Sequence, residues 1–286
     1  MTGTVLITGA SSGIGMETAV RAALAGHTVV ATMRDTGRSE ELRKTAAEAG
    51  ATVDVRALDV TDPDSIEACV SEAVEAHGGI DVVVNNAGAA STLPTVEVCP
   101  MDRYRAGFEV NFFGVVNVTK AVMPHLRASR GRLITVGSTR GLIAQPFNEC
   151  YSASKFAVEG FMESLAPTAA AVGVDVVIVE PGPVLGTAFA ANSGATRDSL
   201  LAMAGPYTDV LTSYLDWFAS NGFPGAKTAG ELAETLVETM TADDPPFRVL
   251  AGEWAAEFAA RKLTEPEGRA ILAMTSAWVR NEAAGR

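Results

Sequence analysis

The sequence predicts the α/β class, a doubly wound parallel sheet with helices on both faces. Three observations carry this. Short apolar runs alternate with helical patterns from residue 4 to about residue 180. Most of the runs are largely apolar, as strands buried on both faces are. The first run leads through a glycine-rich turn into a helix, the junction a βαβ unit requires.

The elements follow in order. Thr4 to Thr8 reads as a buried strand, and Gly13 to Ala25 as a helix that Gly26 ends. Thr28 to Met33 is the second strand, and Ser39 to Ala49 a polar helix closed by Gly50. Thr52 to Asp59 is the third strand. Asp62 and Pro63 then supply a cap and a first-turn proline for a helix to about His77. Ile80 to Asn85 is the fourth strand, Asp102 to about Ala128 a long helix, and Arg132 to Gly137 the fifth strand. Cys150 to Val172 is a helix, and Val174 to Glu180 the sixth strand.

After Pro181 the rhythm breaks. Pro183 to Lys227 reads as an irregular lid carrying Phe189, Met203, Tyr207, Leu211, Tyr214, Trp217, Phe218 and Phe223. A helix from Thr228 to Thr241 and a strand from Phe247 to Ala251 follow. Helices over about Trp254 to Leu263 and Pro266 to Asn281 close the chain. Residues 1–286 therefore read as a single domain, with 183–227 a substrate lid and 252–286 a C-terminal helical extension.

Composition narrows the function. A hydrophobic fraction of 48% with 20% charge supports a sizeable core and excludes a disordered chain. Thirty-four acids against 22 bases leave a net charge of -12, which repels phosphate backbones and argues against a nucleic-acid partner. No stretch has the apolar length of a membrane span, and the N-terminus lacks the basic segment of a secretory signal. Cys69, Cys99 and Cys150 are too few and too far apart for a disulfide framework or a metal site. A reducing cytoplasm and no metal are expected.

Four short motifs carry chemistry. Gly9, Ser11, Ser12, Gly13, Ile14 and Gly15 form a G-x-x-x-G-x-G turn between the first strand and the first helix. Glycines let the backbone approach a pyrophosphate, and the helix end offers free N–H groups and a positive dipole. Asn85, Asn86, Ala87 and Gly88 follow the fourth strand at the same sheet edge. Alone they would read as an ordinary turn. Ser138 ends the fifth strand, facing the ligand crevice, although a lone serine there would read as a turn cap. Tyr151 and Lys155 lie four apart at the start of a helix, so phenol and ammonium share a face. A neighbouring cation favours the phenolate. Alone, such a pair is usually a solvated helix face.

Together and in this order, these motifs resemble the short-chain dehydrogenase/reductase family, strongly over about residues 1–187. The resemblance implies a Rossmann fold and hydride exchange between a nicotinamide cofactor and an alcohol or ketone. It implies Ser138, Tyr151 and Lys155 as catalytic, with Asn111 supporting a proton relay. It implies that Asp59 and Val60 contact the adenine, and that Asn86, Ala87, Gly88, Tyr151, Lys155, Pro181, Gly182 and Val184 also line the cofactor. The family's nicotinamide-contacting threonine falls on Gly186, so that contact passes to Thr187, one residue later.

The run from Gly141 to Tyr151 and on through Lys155, with residues 31–35, is similar to the 17β-hydroxysteroid and retinol dehydrogenase branch. That implies a bulky apolar substrate, with Phe189 and Trp217 as lid contacts beside Ser138 and Tyr151. A 3-oxoacyl-thioester reductase shares the same motifs. A cofactor-sensing scaffold would not need the tyrosine and lysine. The family's long helices imply a homodimer or homotetramer through residues 102–128 and 150–172. Counting about 20 residues beyond Gly15 reaches Asp35, which would favour NAD. The resemblance instead puts the discriminating position at Met33, with Arg34 next and Arg38 near. A guanidinium matches a 2′-phosphate, so NADP(H) is expected, with Asp35 facing solvent or paired with an arginine.

Overall fold

A computed structural model of the chain describes residues 2–90, 94–189, 192, 194–222, 225–264 and 267–281. Its first half runs β1 (Thr4–Ile7), α1 (Gly13–Leu24), β2 (Thr28–Met33), α2 (Glu40–Glu48), β3 (Asp54–Ala57), α3 (Pro63–His77) and β4 (Val82–Asn85). Next come α4 (Met101–Phe108), α5 (Gly114–Ser129), β5 (Arg132–Val136), α6 (Glu149–Ala170) and β6 (Asp175–Pro181). The remainder is β7 (Val184–Leu185), α7 (Arg197–Met203), α8 (Thr208–Asn221), β8 (Lys227–Thr228), α9 (Ala229–Thr241), β9 (Arg248–Ala251), α10 (Glu253–Leu263) and α11 (Arg269–Val279).

Seven strands form one parallel sheet in the order β3-β2-β1-β4-β5-β6-β9. Val5, Leu6 and Ile7 of β1 pair with Val82, Val83 and Val84 of β4, all six buried. Successive strand side chains point to opposite faces, so Val5 and Ile7 enter a core beneath α1 and α9. Leu6 enters the other core, beneath α3, α5 and α6. Both faces are thereby covered, which is why the strands read as unbroken apolar runs. The chain winds outward from β1 to β3 and then returns to place β4 on the other side of β1. A crevice opens above the carboxyl ends of the strands at such a reversal.

Local signals place the helices. Asp62 caps α3 by accepting from the Asp64 N–H, with Pro63 in its first turn. No described helix is long and apolar enough to cross a membrane.

Two expectations are corrected. The helix expected over Asp102 to Ala128 is interrupted by a π-helical turn at Glu109–Phe113, and its two halves are α4 and α5. The lid is largely helical. Thr196 closes a capping box with Ser199 at the start of α7, and α8 buries Leu211 and Tyr214. Scattered Gly and Pro residues hid the helical spacing of Leu211, Tyr214, Leu215 and Phe218. Val184 and Leu185 of β7 pair in parallel with Lys227 and Thr228 of β8, closing the base of the lid. Phe223, expected among the lid aromatics, lies outside the described residues.

Candidate active site

The crevice holds a cavity of about 820 Å³. One end is built by the turn between β1 and α1. Gly9 has a φ of +69°, and a Cβ on it would meet the Ala87 Cα at 2.8 Å. A Cβ on Gly15 would strike the Gly9 carbonyl and the Asn86 amide. Asn86 draws this turn tight. Its Nδ2 donates to the carbonyls of Thr8 and Gly9 at 2.9 and 3.1 Å, and its main-chain N–H donates to the Thr8 Oγ1 at 3.0 Å. Ser11, Ser12, Gly13 and Ile14 continue the wall. Ser12 makes no side-chain cap bond, so the first N–H groups of α1 are left for an anion. Main-chain donors at a helix end, with no Cβ in the way, fit a pyrophosphate.

Arg34, Asp35 and Arg38 line the cavity beyond the end of β2. Asp35 is exposed, as one of its two expected fates requires, and no arginine pairs with it among the described residues. It caps the 3₁₀ turn Thr36–Ser39 by accepting from the Gly37 N–H at 2.9 Å. No carboxylate pairs with Arg34 or Arg38 among the described residues. Asp59 and Val60 follow on the same wall, with the Asp59 Oδ1 held by the main-chain N–H and hydroxyl of Thr61 at 2.9 and 2.8 Å.

Ala87, Gly88, Pro181, Gly182 and Val184 frame the middle of the cavity. Gly186, at a φ of +72°, turns the chain so that Thr187 lies over the glycine turn. A Cβ on Gly13 would meet the Thr187 Cγ2 at 3.3 Å.

Ser138, Tyr151 and Lys155 meet on the wall of the other end. Ser138 is also a turn cap: its Oγ accepts from the Arg140 N–H at 3.1 Å. Its place on the cavity wall and its place in the turn are compatible. The Lys155 Nζ donates to the Val136 carbonyl at 2.9 Å and lies 5.8 Å from the centre of the Tyr151 ring. Burial pushes the Tyr151 phenol up to about 12, opposed by the Ser138 hydroxyl within hydrogen-bonding reach. Burial also pulls the Lys155 ammonium down to about 8, opposed by the charge of Glu180. Enclosure sets the direction for the phenol, and the cation that opposes it is Arg140.

Beneath this end lies an acid that the sequence reading passed over. Glu180 is fully buried, and its Oε2 accepts from the Ser138 N–H at 2.8 Å. Gly137 leaves the room that its carboxyl group occupies. Burial raises the Glu180 carboxyl well above its ordinary value, and Glu159 beside it raises it further. Glu159 is itself held by Arg248 through two bonds of 3.2 and 2.5 Å. The Glu180 Oε1 is buried and has no donor to accept from. A proton held between the two carboxyls satisfies both.

Two predicted residues are not brought to the cavity. Asn111 sits in the π-helical turn, fully buried, with its Oδ1 accepting from the Ala89 N–H at 2.8 Å and its Nδ2 donating to the Ala89 carbonyl at 3.0 Å. Its side chain clamps the loop after β4. Trp217 faces away, its ring 4.8 Å from Phe218 and 5.4 Å from Trp278 of α11. Phe189 does line the cavity, its ring 5.8 Å from that of Tyr151. Arg140, Gln145 and Asn148 also line it and were missed. Only Arg140 had a signal, two residues beyond Ser138 at the same strand end.

A cleft with a pyrophosphate-shaped turn at one end and a phenol, an ammonium and a hydroxyl at the other defines a class, the dinucleotide-binding α/β proteins. The sequence matches the short chain dehydrogenase family over residues 3–198. Among relatives, retinol dehydrogenase 8 of Bos taurus is 36% identical over 278 residues, covering 93% of this chain and 86% of that protein. Human 17-beta-hydroxysteroid dehydrogenase type 1 is 34% identical over 276 residues, covering 92% and 82%. A short-chain dehydrogenase structure from Streptomyces avermitilis superposes with a TM-score of 0.75 at 27% identity, covering 94% of this chain and 95% of that one. The chain belongs to the short-chain dehydrogenase family, oxidoreductases that use nicotinamide cofactors.

Proposed function

We propose that the protein is an NADP(H)-dependent oxidoreductase that exchanges a hydride with a secondary alcohol or ketone bearing a bulky apolar body. The observation that carries this reading is the convergence of Ser138, Tyr151 and Lys155 at one end of a cavity whose other end is the glycine turn. The hydroxyls of Ser138 and Tyr151 hold the carbonyl oxygen. Tyr151, raised to about 12, stays protonated at neutral pH and gives its proton to that oxygen in the reductive direction. Lys155 orients the cofactor ribose, and Asn111 positions the loop that frames the cleft. A bound nicotinamide supplies the hydride chemistry.

Arg34 and Arg38 support NADP(H). Both line the cavity, while one oxygen of the nearby Asp35 carboxylate caps its turn. The names of the two relatives and the Phe189 wall support an apolar substrate body. Phe113, 45% exposed at the end of the π turn between α4 and α5, supports the expected homo-oligomer, which sedimentation velocity would measure.

The test is turnover of steroid, retinoid and aryl ketones with each reduced cofactor. NADPH is expected to give the higher kcat/KM. Arg34→Leu should weaken NADPH binding by about tenfold, the scale of a charged hydrogen bond, and leave NADH nearly unchanged. A higher kcat/KM with NADH in the wild type would overturn the cofactor assignment. No turnover with either cofactor would overturn the function.

A further inference from the structure

The other interior arginines are paired. Arg132 bonds Asp175 at 2.9 Å, Arg56 bonds Asp54 at 2.7 Å, and Arg248 bonds Glu159. Arg140 is the contrast. It lines the cavity with Ser138 and Tyr151, and among the described residues no carboxylate pairs with it. Its Nη1 is buried with no hydrogen-bond partner. This holds in a chain with 34 acids, so carboxylates are not scarce.

The guanidinium is also fixed in place. It lies 5.2 Å from the centre of the Phe258 ring of α10 and 5.7 Å from that of Trp278 of α11. Aromatic faces attract a cation but accept nothing from the N–H groups around its edge. Burial pulls Arg140 down to about 10, so it is still charged at neutral pH. An enclosed charge without a partner is costly, and a ligand that supplies the counter-charge recovers that cost. A planar fork of donors fits a carboxylate through two parallel bonds.

We propose that Arg140 is an anion receptor at the substrate end of the cavity, and that the ketone or alcohol carries a carboxylate as well as its apolar body. This rests on the hydride-transfer reading above and names its substrate class. The reacting oxygen lies at Ser138 and Tyr151, the apolar body runs past Phe189, and the carboxylate meets Arg140.

The experiment compares 4-oxo-4-phenylbutanoate with its methyl ester in steady-state reduction, using wild type, Arg140→Met and Arg140→Lys. Each variant's melting temperature is measured first. The wild type should favour the acid by roughly 10- to 100-fold in kcat/KM, the scale of hydrogen bonds to a charged group. Arg140→Met should collapse that ratio towards one. Arg140→Lys, which keeps charge but not the fork, should give an intermediate ratio and serves if the Met variant does not fold. A wild type that treats acid and ester alike, or a Met variant that slows both equally, would overturn the proposal and leave Arg140 as packing for the aromatic rings. If neither compound is reduced with either cofactor, the hydride-transfer reading fails. The receptor is then read by calorimetric titration of the same acid into wild type and Arg140→Met: binding lost in the variant supports it, and no binding to wild type overturns it.

Discussion

Tyr151 and Lys155 are driven in opposite directions by the same enclosure, because burial disfavours whichever form carries charge. In the proposed chemistry the phenol is thereby an acid at neutral pH, and the amine is the group that titrates near the working range. Tyr151→Phe should reduce kcat by at least a hundredfold and leave NADPH affinity within a few-fold, since the hydroxyl acts on the proton. Near-wild-type turnover at saturating ketone would remove Tyr151 from that role. Lys155 loses its positive charge as pH rises through about 8. NADPH should therefore bind several-fold more weakly at pH 9 than at pH 6.5 by fluorescence titration. In Lys155→Met that pH dependence should disappear.

At the scale of elements, the sheet and its flanking helices were legible because the central strands are largely apolar runs and several helices have a local stop or start. Asp62 with Pro63 and the glycine turn are such signals, and they survive without tertiary context. The π-helical turn was not legible, since it depends on Asn111 reaching across to the main chain of Ala89. The lid helices were hidden by the Gly and Pro residues that flank them, Gly194, Gly205, Pro206 and Gly222. The polar heart of the site was legible, whereas Glu180 was not, because within an apolar strand it reads as the strand's last residue. Trp217 was misassigned because nothing in a sequence says which face of α8 meets α11. Trp217→Ala should lower stability by about 2 kcal/mol through its lost ring contacts and change KM alike for small and bulky ketones. Phe189→Ala should raise KM for bulky ketones more than for small ones. The opposite pattern, read from KM across a size series, would exchange the two roles.

At the scale of the whole molecule, the Arg248–Glu159–Glu180 chain ties the edge strand β9, through α6, to β6 beneath the site. Its effect on stability has a definite sign. The Glu180 carboxyl is raised in the folded state, by burial and then by Glu159, so the native protein holds a proton that the unfolded chain releases. Its contribution is fully present below the unfolded pKa, about 4.3, and is lost as pH rises through the higher folded value. Glu180→Gln keeps an oxygen for the Ser138 N–H and a donor for Glu159, and does not titrate. Its urea midpoint should fall less between pH 5 and pH 9 than that of the wild type. Equal falls in both proteins would show that Glu180 is ionised in the native state.

The Asn86 clamp on the glycine turn also bears on the thermodynamics of association. Its side chain joins the end of β4 to the turn after β1 through bonds made entirely within the protein. The freedom of that turn is surrendered when the chain folds, and a dinucleotide arriving later meets a receptor that has no disorder left to lose there. Affinity at this end is thus limited by how well the incoming phosphates match fixed N–H groups, and length or polarity changes elsewhere in the ligand leave that match untouched.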